Sequence, residues 1–231
     1  MLKTLTTTGG PSLTTIAGLS LPVLLVGNLL WFLGAFRSIT FEKGRLGPSR
    51  KIFVYKTSKG PYSGVGPKFE AVYKFLKGHG FGIKDDSTKP PALPPMAGIY
   101  YDDPKTTDVP RYAVGFLIDS DDTVSRQHWE RLKKEDSIVE NEWSVLEIED
   151  TPTIVSFFPI RWMAVSCALS AMKTYPAFEK TGYELKCGAM EIYRTDLGRV
   201  ETHFPQDNFL QFNPQESDSF LEDGTDAKKE Q

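Results

Sequence analysis

The chain is poor in the residues that usually announce a chemistry. Its 231 residues include only two cysteines and three histidines. A small secreted scaffold stapled by disulfides would need more cysteine. Neither Cys167 nor Cys187 stands in a CxxC, so no redox or zinc motif is present. Both read as reduced, buried thiols, with a single disulfide as the alternative. His79, His128 and His203 share no metal-ligand spacing, and neither a metal nor another cofactor is expected. The formal net charge of −3 leaves no protein-wide basic footprint for nucleic acid. No P-loop, dinucleotide fingerprint or nucleophile elbow occurs. The Gly-rich "GPYSGVGP" holds Pro at both ends and reads as a turn before a helix. These absences point to a binding protein and not an enzyme.

One thing is abundant. Thr4 to Phe36 carries no charged residue, and Leu13 to Phe36 is strongly apolar. A helix of about 22 residues rises roughly 33 Å, enough to cross a hydrocarbon core of about 30 Å. Trp31 and Phe32 lie near its end, where aromatics favour the membrane interface. Arg37, Lys43, Arg45, Arg50 and Lys51 follow directly. The expectation is a retained single span over 13–36, preceded by a short lumenal segment (1–12) and followed by a basic juxtamembrane linker (37–51). The positive-inside rule then places the rest of the chain in the cytosol. A cleaved signal peptide and a soluble core helix are the rival readings.

From Ile52 the pattern is α+β. "KIFVYKT" (51–57) is rich in β-formers. "GPKFEAVYKFLKGHGF" places Phe69, Val72, Tyr73 and Leu76 on one helical face, with Pro67 near its start and Gly78 at its end. "AGIYYDDP" (97–104) and "RYAVGFLID" (111–119) read as strands. The order recurs. "WSVLEIED" (143–150) and "TIVSFFP" (153–159) read as a hairpin, followed by a helix over about 161–173 with Trp162, Val165, Leu169 and Met172 buried. "GAMEIYRTD" (188–196) and "RVETHFP" (199–205) close the second half. Each half is strand, helix, strand, strand, and "GIYYDDP" matches "MEIYRTD". Two such units imply one sheet with helices on one face and a cleft where they meet. "DDTVSRQHWERLKKED" (121–136) links them as a helix capped at Thr123. The four-proline loop over 85–98 reads as a stiff connection. Residues 213–231 carry six acids against two lysines and are expected to be disordered.

The segments "FVYKTSKGPYSGVGPKFEAVYKFL", "AGIYYDDPKTTDVPRYAVGFLI" and "TIVSFFPIRWMAVSCALSAMKTYPAFEKTGYELKCGAMEIYRTD" resemble the gyrase-inhibitor-like (GyrI-like) domain of the testis-expressed protein 264 family. The most specific parts are Ile99 to Pro104 and Met190 to Tyr193. The resemblance covers Leu13 to Phe212 and puts the GyrI-like domain at 52–212. It implies a single-pass ER membrane protein, in some settings at the nuclear envelope, acting as a receptor for selective autophagy of the ER. It also implies two partners, ubiquitin-like autophagy modifiers and the valosin-containing AAA ATPase. The modifier motif needs an aromatic, two residues, then Leu, Ile or Val. In the tail Phe220 is followed at that position by Asp223, so the motif is degenerate. "EWSVL" and "WERL" fit the pattern but read as core segments.

The resemblance also implies a small-molecule cleft. Many GyrI-like domains bind hydrophobic or cationic molecules with a buried Glu on the last strand, and some use that Glu for hydrolysis. Glu201, four residues before Pro205, matches that position. Tyr101, Trp162 and Tyr193 are the candidate aromatic walls. The alternative function is therefore a membrane-tethered binder or hydrolase using Glu201. The plain alternative for Glu201 itself is a solvent-facing residue, with Val200, Thr202 and Phe204 facing the other way.

Overall fold

A computed structural model of the chain describes residues 13–47, 51–82, 93–119, 123–185 and 188–206, with the side chains of the first helix from Val23 onward. The elements are α1 (Leu13–Phe32), β1 (Glu42–Leu46), β2 (Lys51–Lys59), α2 (Val65–Gly78), β3 (Met96–Tyr100), β4 (Arg111–Asp119), α3 (Thr123–Lys134), α4 (Ser137–Glu140), β5 (Ser144–Ile148), β6 (Thr151–Pro159), α5 (Met163–Glu179), β7 (Ala189–Arg194) and β8 (Arg199–Pro205). The fold is α+β. All eight strands form one antiparallel sheet in the order β1-β6-β8-β7-β3-β4-β2-β5.

The repeat expected from the sequence is present. β2-α2-β3-β4 corresponds to β6-α5-β7-β8, and the units meet where β3 pairs with β7. The matching register is set by the strand pairs. Tyr100 pairs with Tyr112, one residue into β4, and Tyr193 pairs with Val200, one residue into β8. Tyr100 therefore corresponds to Tyr193. The expected match of Tyr101 to Tyr193 is one residue out of register, and a slip of one residue changes the face.

The expected hairpin between β5 and β6 does not form. β5 pairs with β2 and β6 pairs with β1 and β8. Each unit is preceded by a short strand, and each of these pairs with the other unit. Laid flat, β5 and β6 would stand six strand spacings apart, about 29 Å. The link from Ile148 to Thr151 reaches only about 11 Å. The sheet must curl until its edges meet. Leu46 of β1 packs with Phe53 and Ile148, and Arg45 makes a two-pronged bond to Asp150 at 2.7 and 2.9 Å. Residues 37–51, expected as a linker, thus contain a strand of the sheet.

The inner face of the curl is filled by Leu46, Phe53, Ile99, Leu117, Met190 and Ile192. On the other face α2 packs over β4, while α5 packs over β6 and β8. α3 brings Trp129 and Leu132 into the α2 core, and Trp143 packs on Phe75 and Phe116. Both internal aromatic motifs are therefore held in packing, although Val145 points outward. Tyr73, expected on the buried face of α2, is exposed.

α5 turns a different face inward from the one expected. Ser166, Ser170, Thr174 and Phe178 are buried, whereas Trp162 is 55% and Met172 73% exposed. Small side chains let the helix lie close to the sheet. The helix also runs through Pro176, which cannot donate a backbone hydrogen bond. Phe178 stacks on Phe204 with ring centroids 3.8 Å apart, and this contact holds the last turn in place.

α1 ends at Phe32, four residues short of the expected span boundary. Leu33 and Gly34 are buried against the body of the domain. Among the described residues no helix is long and apolar enough to cross a membrane. The ten residues of α1 with described side chains rise about 15 Å. Segments 1–12 and 207–231, with Phe220 and Asp223, lie outside the described residues.

Candidate functional site

β3 and β7 run along the groove between α2 and α5. The side chains of Ala189, Glu191 and Tyr193 face this groove, while Met190 and Ile192 face the inside of the curl. Glu191 is only 3% exposed. It pairs across the strands with Gly98 on one side and Thr202 on the other. Gly98 has no side chain, and the Tyr100 ring lies over it, 3.2 Å from where a Cβ would stand.

The tyrosines arrange themselves around this carboxylate. The Tyr193 hydroxyl donates to Glu191 Oε2 at 2.6 Å. The hydroxyls of Tyr193 and Tyr100 lie 3.2 Å apart, across the boundary between the units. The Tyr175 hydroxyl, from α5, stabilises the charged form of Glu191 but closes no hydrogen bond of ordinary geometry. Phe69 of α2 meets Tyr193 edge to face at 4.9 Å, and Tyr62 meets Tyr100 in the same way at 5.0 Å. Phe69 and Met96 contact the cores beneath both helices, so they bridge the crevice.

Burial raises the Glu191 pKa above its ordinary value, and the bond from Tyr193, with the nearby Tyr175 hydroxyl, offsets only part of that. Among the described residues no Lys, Arg or His acts on it. Burial, followed by the nearby Glu191 charge, drives the Tyr100 and Tyr193 pKa values well up. The same two causes push the Cys167 thiol up to about 12. Cys167 is therefore a protonated, unreactive wall of the crevice. It is a free thiol, while Cys187 lies outside the described residues.

Glu201 lies elsewhere. It is 8% exposed, so the solvent-facing reading is wrong, but its side chain points into the curl, away from the crevice. Arg199 bonds it at 2.6 and 2.8 Å, and His203 Nε2 lies 3.7 Å from its other oxygen. His203 Nδ1 is 3.1 Å from the Thr153 hydroxyl. Burial raises the Glu201 pKa, but His203 and Arg199 outweigh it and hold the value below the ordinary one. This carboxylate already has its counter-ion.

The expected site residues therefore divide. Tyr193 is at the crevice. Tyr101 packs on the inner face, with Tyr55 beside it in the same cluster. Trp162 is exposed at the start of α5. Glu191, Tyr100 and Tyr175 were missed. The available signal was a charged residue inside "AMEIY", a run buried on both faces of the sheet. Among the described residues there is no group of side chains that could hold a metal ion.

No protein-family model matches the chain, and no curated protein matches it. Among solved structures it is similar to a hydrolase from Listeria innocua, at 12% identity over 74% of this chain and 94% of that chain, with a TM-score of 0.39. It is similar to the EcmrR C-terminal domain at 11% identity, over 72% of this chain and 96% of that one, TM-score 0.41. A structure of SAV2435 bound to tetraphenylphosphonium is 9% identical over 72% of this chain and 93% of that one, TM-score 0.42. Likenesses of this extent carry no argument, and the functional reading rests on the chain's own residues.

Proposed function

We propose that the chain is a membrane-tethered binding module that takes a hydrophobic monocation into the crevice between α2 and α5. The observation that carries this reading is Glu191, a buried carboxylate with no cationic side chain acting on it among the described residues. Burying such a group uncompensated is costly. Aromatic faces and a carboxylate together suit a cation whose charge is spread over an apolar body. The site replaces the one expected at Glu201. A ligand enters by displacing Phe69, whose ring lies on Tyr193.

Tetraphenylphosphonium is a suitable probe, offered to the full chain in neutral nanodiscs. Saturable binding with one site per chain is expected. The Glu191→Gln variant should bind the probe more weakly in the same assay. Equal binding by variant and wild type would remove the crevice from the reading.

The tether is α1, read as an ER membrane span with the body of the chain cytosolic. Carbonate extraction and protease protection of microsomes test it. The receptor role for ER autophagy, with ubiquitin-like modifiers and the valosin-containing ATPase as partners, rests on the family resemblance. Burial of Trp129 and Leu132, and packing of Trp143, take both internal aromatic motifs out of reach of a modifier, which leaves the degenerate tail motif at Phe220 and Asp223.

A further inference from the structure

At the root of α1 stands a pocket that the crevice does not use. The chain is pinned there. Leu33 is buried, Gly34 lies against Phe158 and Pro159, and Lys173 of α5 donates to the Ala35 carbonyl at 2.6 Å. Around this root opens a pocket of about 460 Å³, whose side chains include Trp31, Phe32, Phe36, Arg37 and Arg161. All three aromatic rings are exposed, Trp31 at 73%. The Arg161 guanidinium sits 5.4 Å from the centre of the Phe32 ring. Among the described residues no carboxylate pairs with Arg37 or Arg161.

Two guanidiniums without a carboxylate partner among the described residues, and three exposed aromatics, in one concavity are poorly suited to water alone. Arginine presents a fork of donors that matches phosphate oxygens. Tryptophan and other aromatics favour the depth at which hydrocarbon gives way to headgroups. The charge-free helix α1 leads away from this pocket, which places the two arginines at its headgroup end.

We propose that this pocket binds the phosphate of an anionic phospholipid headgroup, drawn from the bilayer that holds α1. The proposal rests on the tether reading given above. It makes the β6–α5 corner the membrane-proximal end of the domain. It also assigns Arg37 a role in lipid selection beyond general attraction to an anionic surface.

The test uses the full chain reconstituted in phosphatidylcholine nanodiscs containing one-fifth phosphatidic acid, then released for native mass spectrometry. Wild type should retain phosphatidic acid over phosphatidylcholine. The double variant Arg37→Gln/Arg161→Gln should retain at least about tenfold less, the scale for removing two charges at a membrane surface. Arg126→Gln, on the exposed side of α3, should retain as much as wild type. The double variant should unfold at the wild-type temperature, because both arginines are exposed. Equal retention by the double variant overturns the proposal. So does displacement of the lipid by millimolar inorganic phosphate, which would mark a site for a soluble anion. Carbonate extraction separates the two readings. A chain washed from the membrane overturns the tether and this site together, whereas an integrated chain without lipid preference overturns this site alone.

Discussion

Replacing Glu191 by Gln keeps the volume of the side chain and leaves an oxygen to accept from Tyr193, but removes the charge. Burial holds the empty carboxyl group's pKa above its ordinary value of 4.5. A cation that binds the charged form must expel a proton wherever the empty site is protonated. The proton is bound in the free protein and absent from the complex, so raising the pH favours binding. Affinity should climb by up to about tenfold per pH unit until the empty-site pKa is passed, then level off. The Glu191→Gln variant should show no such slope. At the plateau it should bind about 10- to 150-fold more weakly, the range for a charge-assisted contact worth about 1.5–3 kcal/mol. Stability should move the other way. A raised folded pKa means that wild type loses stability as pH rises from 4.5 through the folded value, by about 1.4 kcal/mol per unit of separation. The amide loses none, so the variant should match wild type in acid and exceed it at alkaline pH. Calorimetry in two buffers of different ionisation enthalpy reads the expelled proton, and thermal unfolding from pH 4 to 9 reads the stability. Equal proton release by variant and wild type, or a variant less stable at alkaline pH, would refute the assignment.

Glu201→Gln should leave cation binding within about twofold, since Glu201 faces the inside of the curl and is paired with Arg199. Because its folded pKa is lowered, its stabilisation is present above 4.5 and lost as pH falls through the folded value, so the variant should flatten the acid side of a urea-stability profile. Gly115→Ala should cost about 3 kcal/mol or more in urea unfolding, because a Cβ there would lie 1.9 Å from the Val54 carbonyl oxygen and part β2 from β4. Arg45→Ala should leave the midpoint of urea unfolding nearly unchanged, since both it and Asp150 are close to half exposed. In the tail, Asp223→Leu should create measurable calorimetric binding of a tail peptide to ubiquitin-like autophagy modifiers, where the unaltered peptide binds weakly or not at all, because the second apolar pocket would otherwise receive a carboxylate.

What the sequence made legible follows the range of the contacts involved. The repeat, α2 and the strands at 51–59, 111–119 and 199–205 are written in local periodicity. The partner of β5 is not. Its nearest neighbour in sequence is β6, and only the whole curled sheet sends it to β2. In α5 the apolar pattern points to the wrong face. Ser166, Ser170 and Thr174 instead occupy the tight space against the sheet, and Trp162 and Met172 are left outside. Distance from Pro205 along the last strand selects Glu201 as the carboxylate. Position along a strand does not reveal its side, and the crevice lies on the side of Glu191. The same holds for Tyr101, which faces the inside of the curl while its neighbour Tyr100 faces the crevice.

The exchange of β1 and β5 between the two units bears on how the protein is made. Synthesis delivers the first unit first. When residue 119 has left the ribosome, β2 has one neighbour, β4, and its other edge awaits a strand at 144–148. β1 waits longer, for β6 at 151–159. The nascent first half therefore shows open edges at β2 and at β3, whose partner β7 is also still to come, and a β1 with no partner, all of which invite pairing with any other extended chain. Neither unit can finish alone. A chain cut between them leaves each fragment lacking a strand that the other holds, so the two fragments should fold only when mixed.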